Sequence, residues 1–174
     1  MAKDIRDNLL FDGVDRRYVD EFLASLPPPI HLTKGDYLWR QDDSGHSMHL
    51  LKSGKLDVLI HYHQGEEEIL VAHIEAGAVL GEVCVFGEKT RSASIRAAED
   101  AELLTIDGEF FLQKVHNKDP SVLLMSYNVA KLLTQRLITA NSFIRKIHAM
   151  SDRPAVESEL EHYRQRFFYE SLFN

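Results

Sequence analysis

The residues best equipped for chemistry lie in one stretch, Gly81-Glu82-Val83-Cys84-Val85-Phe86-Gly87-Glu88-Lys89-Thr90-Arg91-Ser92-Ala93-Ser94-Ile95-Arg96-Ala97. Gly81 lets the backbone turn sharply and approach a ligand. Glu82 to Phe86 has the length of one helical turn, whose leading N–H groups and positive dipole end suit an anion. Arg91 follows Glu82 after eight intervening residues, with Ser92 beside it. A guanidinium grips a phosphate through two parallel bonds, and a serine hydroxyl adds a further donor. Glu82 is an acceptor suited to a sugar hydroxyl. The stretch thus offers amides and an arginine to a phosphate, and a carboxylate to a ribose. By spacing alone the same residues equally fit a turn with a solvated glutamate and a surface arginine.

The elements that must position this loop change character along the chain. Residues 1–28 read as a helical segment, capped by Asp15, with Tyr18, Phe22, Leu23 and Leu26 on one side. Pro27-Pro28-Pro29 ends it, since proline cannot continue the hydrogen-bond ladder. Residues 29–107 are short apolar runs, such as Tyr37-Leu38-Trp39, His49-Leu50-Leu51, Leu56 to Ile60, Ile69-Leu70-Val71 and Glu102 to Ile106. Turn signals at Lys34-Gly35-Asp36, Asp42-Asp43-Ser44-Gly45, Ser53-Gly54, Gln64-Gly65-Glu66 and Ala76-Gly77 separate them. About eight short strands at this spacing give a mainly β core, an eight-stranded, jelly-roll-like β-roll.

Residues 108–150 turn helical again. Phe110, Phe111 and Val115 suit a short helix, and Asp119-Pro120 opens a long one. Val122 and Val129 recur at seven, as do Leu133, Ala140 and Ile147, and Leu137 and Ile144. A helix over residues 120–149 would be about 45 Å long at 1.5 Å per residue, more than a small β domain covers. Part of the stripe is therefore expected to meet a second copy in a homodimer. After Asp152-Arg153-Pro154, residues 151–174 read as a short amphipathic tail with Val156, Leu160, Tyr163, Phe167 and Leu172.

Over about residues 8–147 the chain resembles the cyclic-nucleotide-binding domains. Their phosphate-binding cassette runs Gly-Glu, a short apolar turn, a loop, then Arg-(Ala/Ser/Thr)-Ala-(Ser/Thr)-(Ile/Val). Here it reads Gly81-Glu82, then Arg91-Ser92-Ala93-Ser94-Ile95. Glycines 35, 54 and 77 fall at the family's turns, and Met48 to Lys55 looks like its strand-turn-strand segment.

The resemblance implies that Glu82 accepts the ribose 2′-hydroxyl and Arg91 pairs with the exocyclic phosphate oxygens. Gly81 and the amides near Val83, Cys84, Ser92 and Ala93 would complete the pocket, with Val71 in the apolar wall beside the base. The implied ligand is a cyclic nucleotide, cyclic AMP favoured over cyclic GMP, with no other cofactor. A residue of the long helix would cap the base, with Thr134, Thr139 and Asn141 as unranked candidates. The chain departs from the family at Gln41-Asp42-Asp43, where Asp42 replaces a turn glycine, at Ala78 after Gly77, and at Thr90 before the arginine. Asp tolerates the left-handed region better than most residues, so the first turn should survive.

Composition narrows the class further. The net charge of −7 lacks the basic footprint of a nucleic-acid binder. The 24 residues after Met150 are too few for a helix-turn-helix domain, so direct DNA binding is not expected. One cysteine forms no intrachain disulfide, and no apolar run nears the roughly 18 residues of a membrane span. The N-terminus lacks the apolar core of a secretory signal. The expectation is a cytoplasmic, non-enzymatic regulator in signal transduction, acting through its long helix on an unknown downstream protein.

Two alternatives stand beside it: a scaffold of the same fold that binds protein, and a cupin-like metal barrel built on His61-Tyr62-His63 and Glu67. Gly54 lies one residue too far from His61 for the second. The remaining histidines, His46 and His49 among them, read as surface residues. Cys84 and Trp39 read as packing residues, and Glu66-Glu67-Glu68 as a solvated turn.

Overall fold

A computed structural model describes residues 4–61, 67–87 and 89–150, the side chains at 143 and 146–150 apart. The chain divides into two units, residues 1–129 and 130–174.

The first unit opens with two short 3-10 turns and α1 (Arg16–Ala24). Asp15 caps α1, its side chain accepting from the Arg17 amide at 2.9 Å. Of the expected inward face, Phe22 is buried and Leu23 and Leu26 are partly buried, whereas Tyr18 is exposed and Val19 is buried instead.

Eight strands follow: β1 (Ile30–Leu32), β2 (Tyr37–Trp39), β3 (Ser47–Ser53), β4 (Lys55–Ile60), β5 (Ile69–Glu75), β6 (Val79–Leu80), β7 (Ser94–Ala97) and β8 (Ala101–Asp107). They form two four-stranded antiparallel sheets, ordered β1-β8-β3-β6 and β2-β7-β4-β5. This is the expected eight-stranded β-roll with flanking helices. Leu51, Leu80, Ala101 and Leu103 of one sheet pack with Leu56, Ile95 and Ala97 of the other. The β3–β4 turn needs Gly54, whose φ is +88° and whose Cα faces the Asp100 carbonyl too closely for any Cβ.

Among the described residues three further helices follow: α2 (Val83–Phe86), α3 (Gly108–His116) and α4 (Pro120–Met150). Asp119 caps α4, accepting from Ser121 Oγ at 2.6 Å and from the Ser121 amide at 3.0 Å. Those bonds, that of the Ser121 hydroxyl foremost, hold the Asp119 carboxyl below its usual range. Val122, Met125 and Val129 are buried, at the one-face spacing of a helix. Asn128, also buried, donates from Nδ2 to Leu10 O at 3.1 Å and Asp12 O at 2.8 Å, tying the N-terminal turns to α4. The apolar positions of α4 thus serve two ends: Val122 and Val129 fill this unit's own core, while Leu123 and Tyr127 stay exposed.

In the second unit the described part is the remainder of α4, with Leu137 and Ile138 exposed. The expected amphipathic tail over 151–174 lies outside the described residues. No described helix is long and apolar enough to cross a membrane.

Candidate functional site: the Glu82–Arg91 loop

The loop leaves β6 through Gly81, at φ +78°, and forms the single turn α2 with Glu82 at its cap position. The Cys84 amide donates to Gly81 O at 3.1 Å, and the Val85 amide to Glu82 O at 3.0 Å. Cys84 and Val85 are buried; Val83 and Phe86 face outward. Phe86 meets Phe111 of α3 edge-on at 5.9 Å, and Phe111 meets Phe22 of α1 edge-on at 6.4 Å. Cys84 is a packed thiol, its Sγ 3.5 Å from Thr90 O.

The return half of the loop is zipped to the turn after β2. Thr90 bridges Ser44, the Arg91 amide donates to Asp43 O at 2.9 Å, and the Asp42 amide donates to Arg91 O at 2.9 Å. The Gly45 amide donates to Lys89 O at 2.8 Å. Asp42 sits at φ +69°, the left-handed conformation expected of it. The departure from glycine at this position therefore keeps the turn that seats the arginine.

Glu82 and Arg91 are both buried, 2% and 5% exposed. Neither fits the alternative of a solvated glutamate and a surface arginine. Burial of a guanidinium costs several kcal/mol in water-exclusion terms unless its donors are satisfied, so its surroundings are informative. Arg91 Nη1 donates to Ser47 O at 2.9 Å and Nη2 to Ser47 Oγ at 3.1 Å. Its Cζ lies 3.9 Å from the centroid of the Trp39 ring. A Cβ at Gly45 would overlap Nε and Cζ of Arg91, and one at Gly81 would stand 2.5 Å from Nη1. Two glycines therefore form the recess that admits the guanidinium, and one of them directly precedes Glu82.

Ser47 continues the polar chain to His49, whose Nε2 is 3.1 Å from Ser47 Oγ and whose Nδ1 is 3.3 Å from Thr105 Oγ1. His49 is buried, not the surface histidine expected from the sequence. It occupies an inward position on β3, the central strand paired to both β8 and β6. Burial, reinforced by the nearby Arg91 charge, lowers its pKa to about 4.

The other implied residues are more dispersed. Ser92 is exposed and Ala93 half-buried. Val71 is half exposed on the edge strand β5, where pairing steps from Val58↔Ala72 to Leu59↔Leu70 and leaves Val71 as the bulged residue. β4 separates it from β7, so it lies two strands, about 10 Å, from the segment that follows Arg91.

Sequence reasoning missed Ser47 and Gly45 in the arginine's seat, and Glu68. Far from a solvated turn, Glu68 accepts from Ser94 Oγ at 2.6 Å and from the Tyr37 hydroxyl at 2.5 Å. These two bonds, Ser94 first, hold its carboxyl below the usual range. Ser94 Oγ in turn accepts the Gln41 amide at 2.9 Å, and the Gln41 side chain bonds both backbone groups of His61. The two feet of the β4–β5 hairpin are thereby tied to β2, β7 and the turn that seats Arg91. No spacing rule brings residues 37, 41, 68 and 94 together; only the strand order does. Of the metal alternative, His63 lies outside the described residues, and among the described residues no three ligating groups cluster.

Comparison with known proteins matches residues 29–118 to the family model described as the cyclic nucleotide-binding domain. The "Cyclic AMP receptor protein" of Thermus thermophilus is 33% identical over 132 residues, covering 76% of this chain and 58% of that protein. A Drosophila melanogaster cGMP-dependent protein kinase, isozyme 2 forms cD5/T2, is 32% identical over 91 residues, 51% of this chain and 10% of the kinase. Among solved structures, the Thermus thermophilus catabolite activator protein superposes with a TM-score of 0.71 at 30% identity, covering 81% of this chain and 63% of that one. The regulatory domain of Toxoplasma gondii PKA, solved with cAMP, shares the fold with a TM-score of 0.59 at 20% identity, covering 73% of this chain and 47% of that one. The chain thus spans less than two thirds of the length of these relatives. With the matched segment enclosing both sheets and the whole Glu82–Arg91 loop, the chain belongs to the cyclic nucleotide-binding domain family.

Proposed function

We propose that this chain is a cyclic-nucleotide sensor, a binding module with no catalytic step, and that cyclic AMP is its ligand in preference to cyclic GMP. The observation that carries the reading is the burial of Glu82 and Arg91 in one loop, the arginine seated between two glycines. Arg91 presents a fixed fork to the cyclic phosphate, joined by amides near Val83 and Ser92. Glu82 accepts the ribose 2′-hydroxyl, and the exposed Val71 offers apolar surface to the base. The preference for cyclic AMP is supported by the longer alignment to a protein named for it.

Phosphate binding draws on Arg91 and so on α2, whose Phe86 leans on Phe111 of α3. A ligand that binds one position of these helices more tightly shifts the population toward it. As part of the same proposal, two copies pair as a homodimer along α4. Leu123, Tyr127, Ala130, Thr134, Leu137 and Asn141 recur at alternating steps of four and three, the spacing of a coiled-coil seam. Of these, Leu123, Tyr127 and Leu137 are exposed apolar side chains.

A thermal-shift series tests the ligand class, because a ligand that binds only the folded state raises the melting temperature with its concentration. Cyclic AMP should raise it most, cyclic GMP less, and 2′-deoxy cyclic AMP little, since Glu82 loses its hydroxyl. No shift with any cyclic nucleotide at millimolar concentration overturns the proposal.

A further inference from the structure

Trp39 is the only tryptophan of the chain. Its position reads as strand packing in the sequence, and its ring does border the apolar core between the sheets. Three further contacts give it a more specific role. Its Nε1 donates to Ala93 O at 2.9 Å, two residues beyond Arg91. Its face carries the Arg91 guanidinium, Cζ at 3.9 Å from the ring centroid. Its Cη2 lies 3.3 Å from the point where a Gly81 Cβ would stand. One side chain on β2 therefore contacts the loop's arginine and its closing segment and closes off the space beside its first residue. A desolvated guanidinium over an indole face is the strong form of a cation–π contact. The Nε1 bond stops the ring from turning away, so the charge above it is held at one height.

We infer that Trp39 is the positioning residue for Arg91: it holds the guanidinium's flat face so that the edge stays directed to an anionic phosphate. Ser47 meanwhile takes one bond from each of Nη1 and Nη2, two of the guanidinium's five donors. An arginine without such a platform has a flexible stem and loses rotamer freedom on binding, which weakens the complex. The inference rests on the reading of Arg91 as the phosphate ligand, but Trp39's hold on Arg91 is measurable without any nucleotide.

The test uses the full chain, with Trp39→Phe and Trp39→Leu. In ligand-free wild type, ring current should move the Arg91 Nε–Hε NMR resonance upfield of the other arginines. Trp39→Leu should abolish that displacement and Trp39→Phe keep part of it. Trp39→Leu should also weaken cyclic AMP about tenfold, with Trp39→Phe within about threefold of wild type. Adenosine, which has no phosphate, should bind all three chains alike. An Arg91 resonance without ring-current displacement in wild type overturns the inference, whatever the chain binds. So does an equal loss of cyclic AMP and adenosine affinity in Trp39→Leu, the signature of general loosening. A wild type that shows the displaced resonance yet binds no cyclic nucleotide overturns only the proposed ligand.

Discussion

Gly45 faces the side chain of Arg91 so closely that a single methyl on it would overlap Nε and Cζ of the guanidinium. The overlap involves the far end of a flexible side chain, so the arginine yields before the backbone does. Gly45→Ala should therefore displace Arg91 while the fold persists, costing about 1–2 kcal/mol for the lost packing and bonds to Ser47. Cyclic AMP affinity should fall more than tenfold for the same reason, as a charged contact of about 1.5–3 kcal/mol is misplaced. Chemical denaturation and calorimetry on one variant separate the two effects; a variant that binds like wild type would refute the seat assigned to Arg91.

Gly81→Ala should behave differently. The position has φ +78°, and the new Cβ would stand 2.9 Å from the Ser47 carbonyl as well as against Arg91. Backbone strain and a backbone clash both oppose it, so the melting temperature should drop clearly, by a destabilisation of about 2–4 kcal/mol. Equal melting curves for Gly45→Ala and Gly81→Ala would show that the conformation at Gly81 is not required.

Much of this geometry was legible in the sequence, and the limit is instructive. The Glu82-to-Arg91 spacing, the eight strands, the Asp15 cap and the left-handed Asp42 all follow from local rules of turns, caps and alternation. The tie from Glu68 to Tyr37 and Ser94, the burial of His49 and the seat of Arg91 on Trp39 and Ser47 do not. Each joins side chains from strands distant in sequence but adjacent in the sheets, and no periodicity encodes which strands become neighbours. Likewise, an arginine reads as a surface residue until the glycines that make room for it are seen around it.

Stability should depend on pH through His49. Burial, then the charge of Arg91, lowers its pKa to about 4 from an ordinary value of 6.5. Between those values the unfolded chain binds the extra proton and the folded chain does not. This contribution is complete above pH 6.5 and is lost as pH falls toward 4, amounting to about 3 kcal/mol at most. Asp57 behaves separately. Burial raises its pKa, but bonds from Arg96 at 3.0 Å and His73 at 2.8 Å outweigh that and leave it lowered, so its contribution disappears only below about 3.8. Urea titrations across pH 4–7 should show a slope that His49→Gln flattens; the same slope in both chains would remove His49 as its source.

The dimer proposal turns on the outward residues of α4. Leu137→Glu places a charge in the proposed seam without touching Val122, Met125 or Val129, which are buried in the first unit. Sedimentation should give a dimer for wild type and a monomer for Leu137→Glu. Met125→Ala should instead lower stability by about 2–5 kcal/mol as a cavity opens in the core. A wild type that stays monomeric at high concentration would exclude the seam.

The central claim is that Glu82 and Arg91 divide a cyclic nucleotide between them, one taking the ribose hydroxyl and the other the phosphate. Calorimetric titration of cyclic AMP into wild type, Glu82→Gln and Arg91→Gln, each confirmed folded, tests it most directly. Wild type should bind cyclic AMP at sub-millimolar concentration. Arg91→Gln should lose about 2–5 kcal/mol of affinity, and Glu82→Gln about 1.5–3 kcal/mol. Against 2′-deoxy cyclic AMP, the Glu82→Gln penalty should vanish while the Arg91→Gln penalty stays. An Arg91→Gln chain that binds cyclic AMP as tightly as wild type would contradict the account.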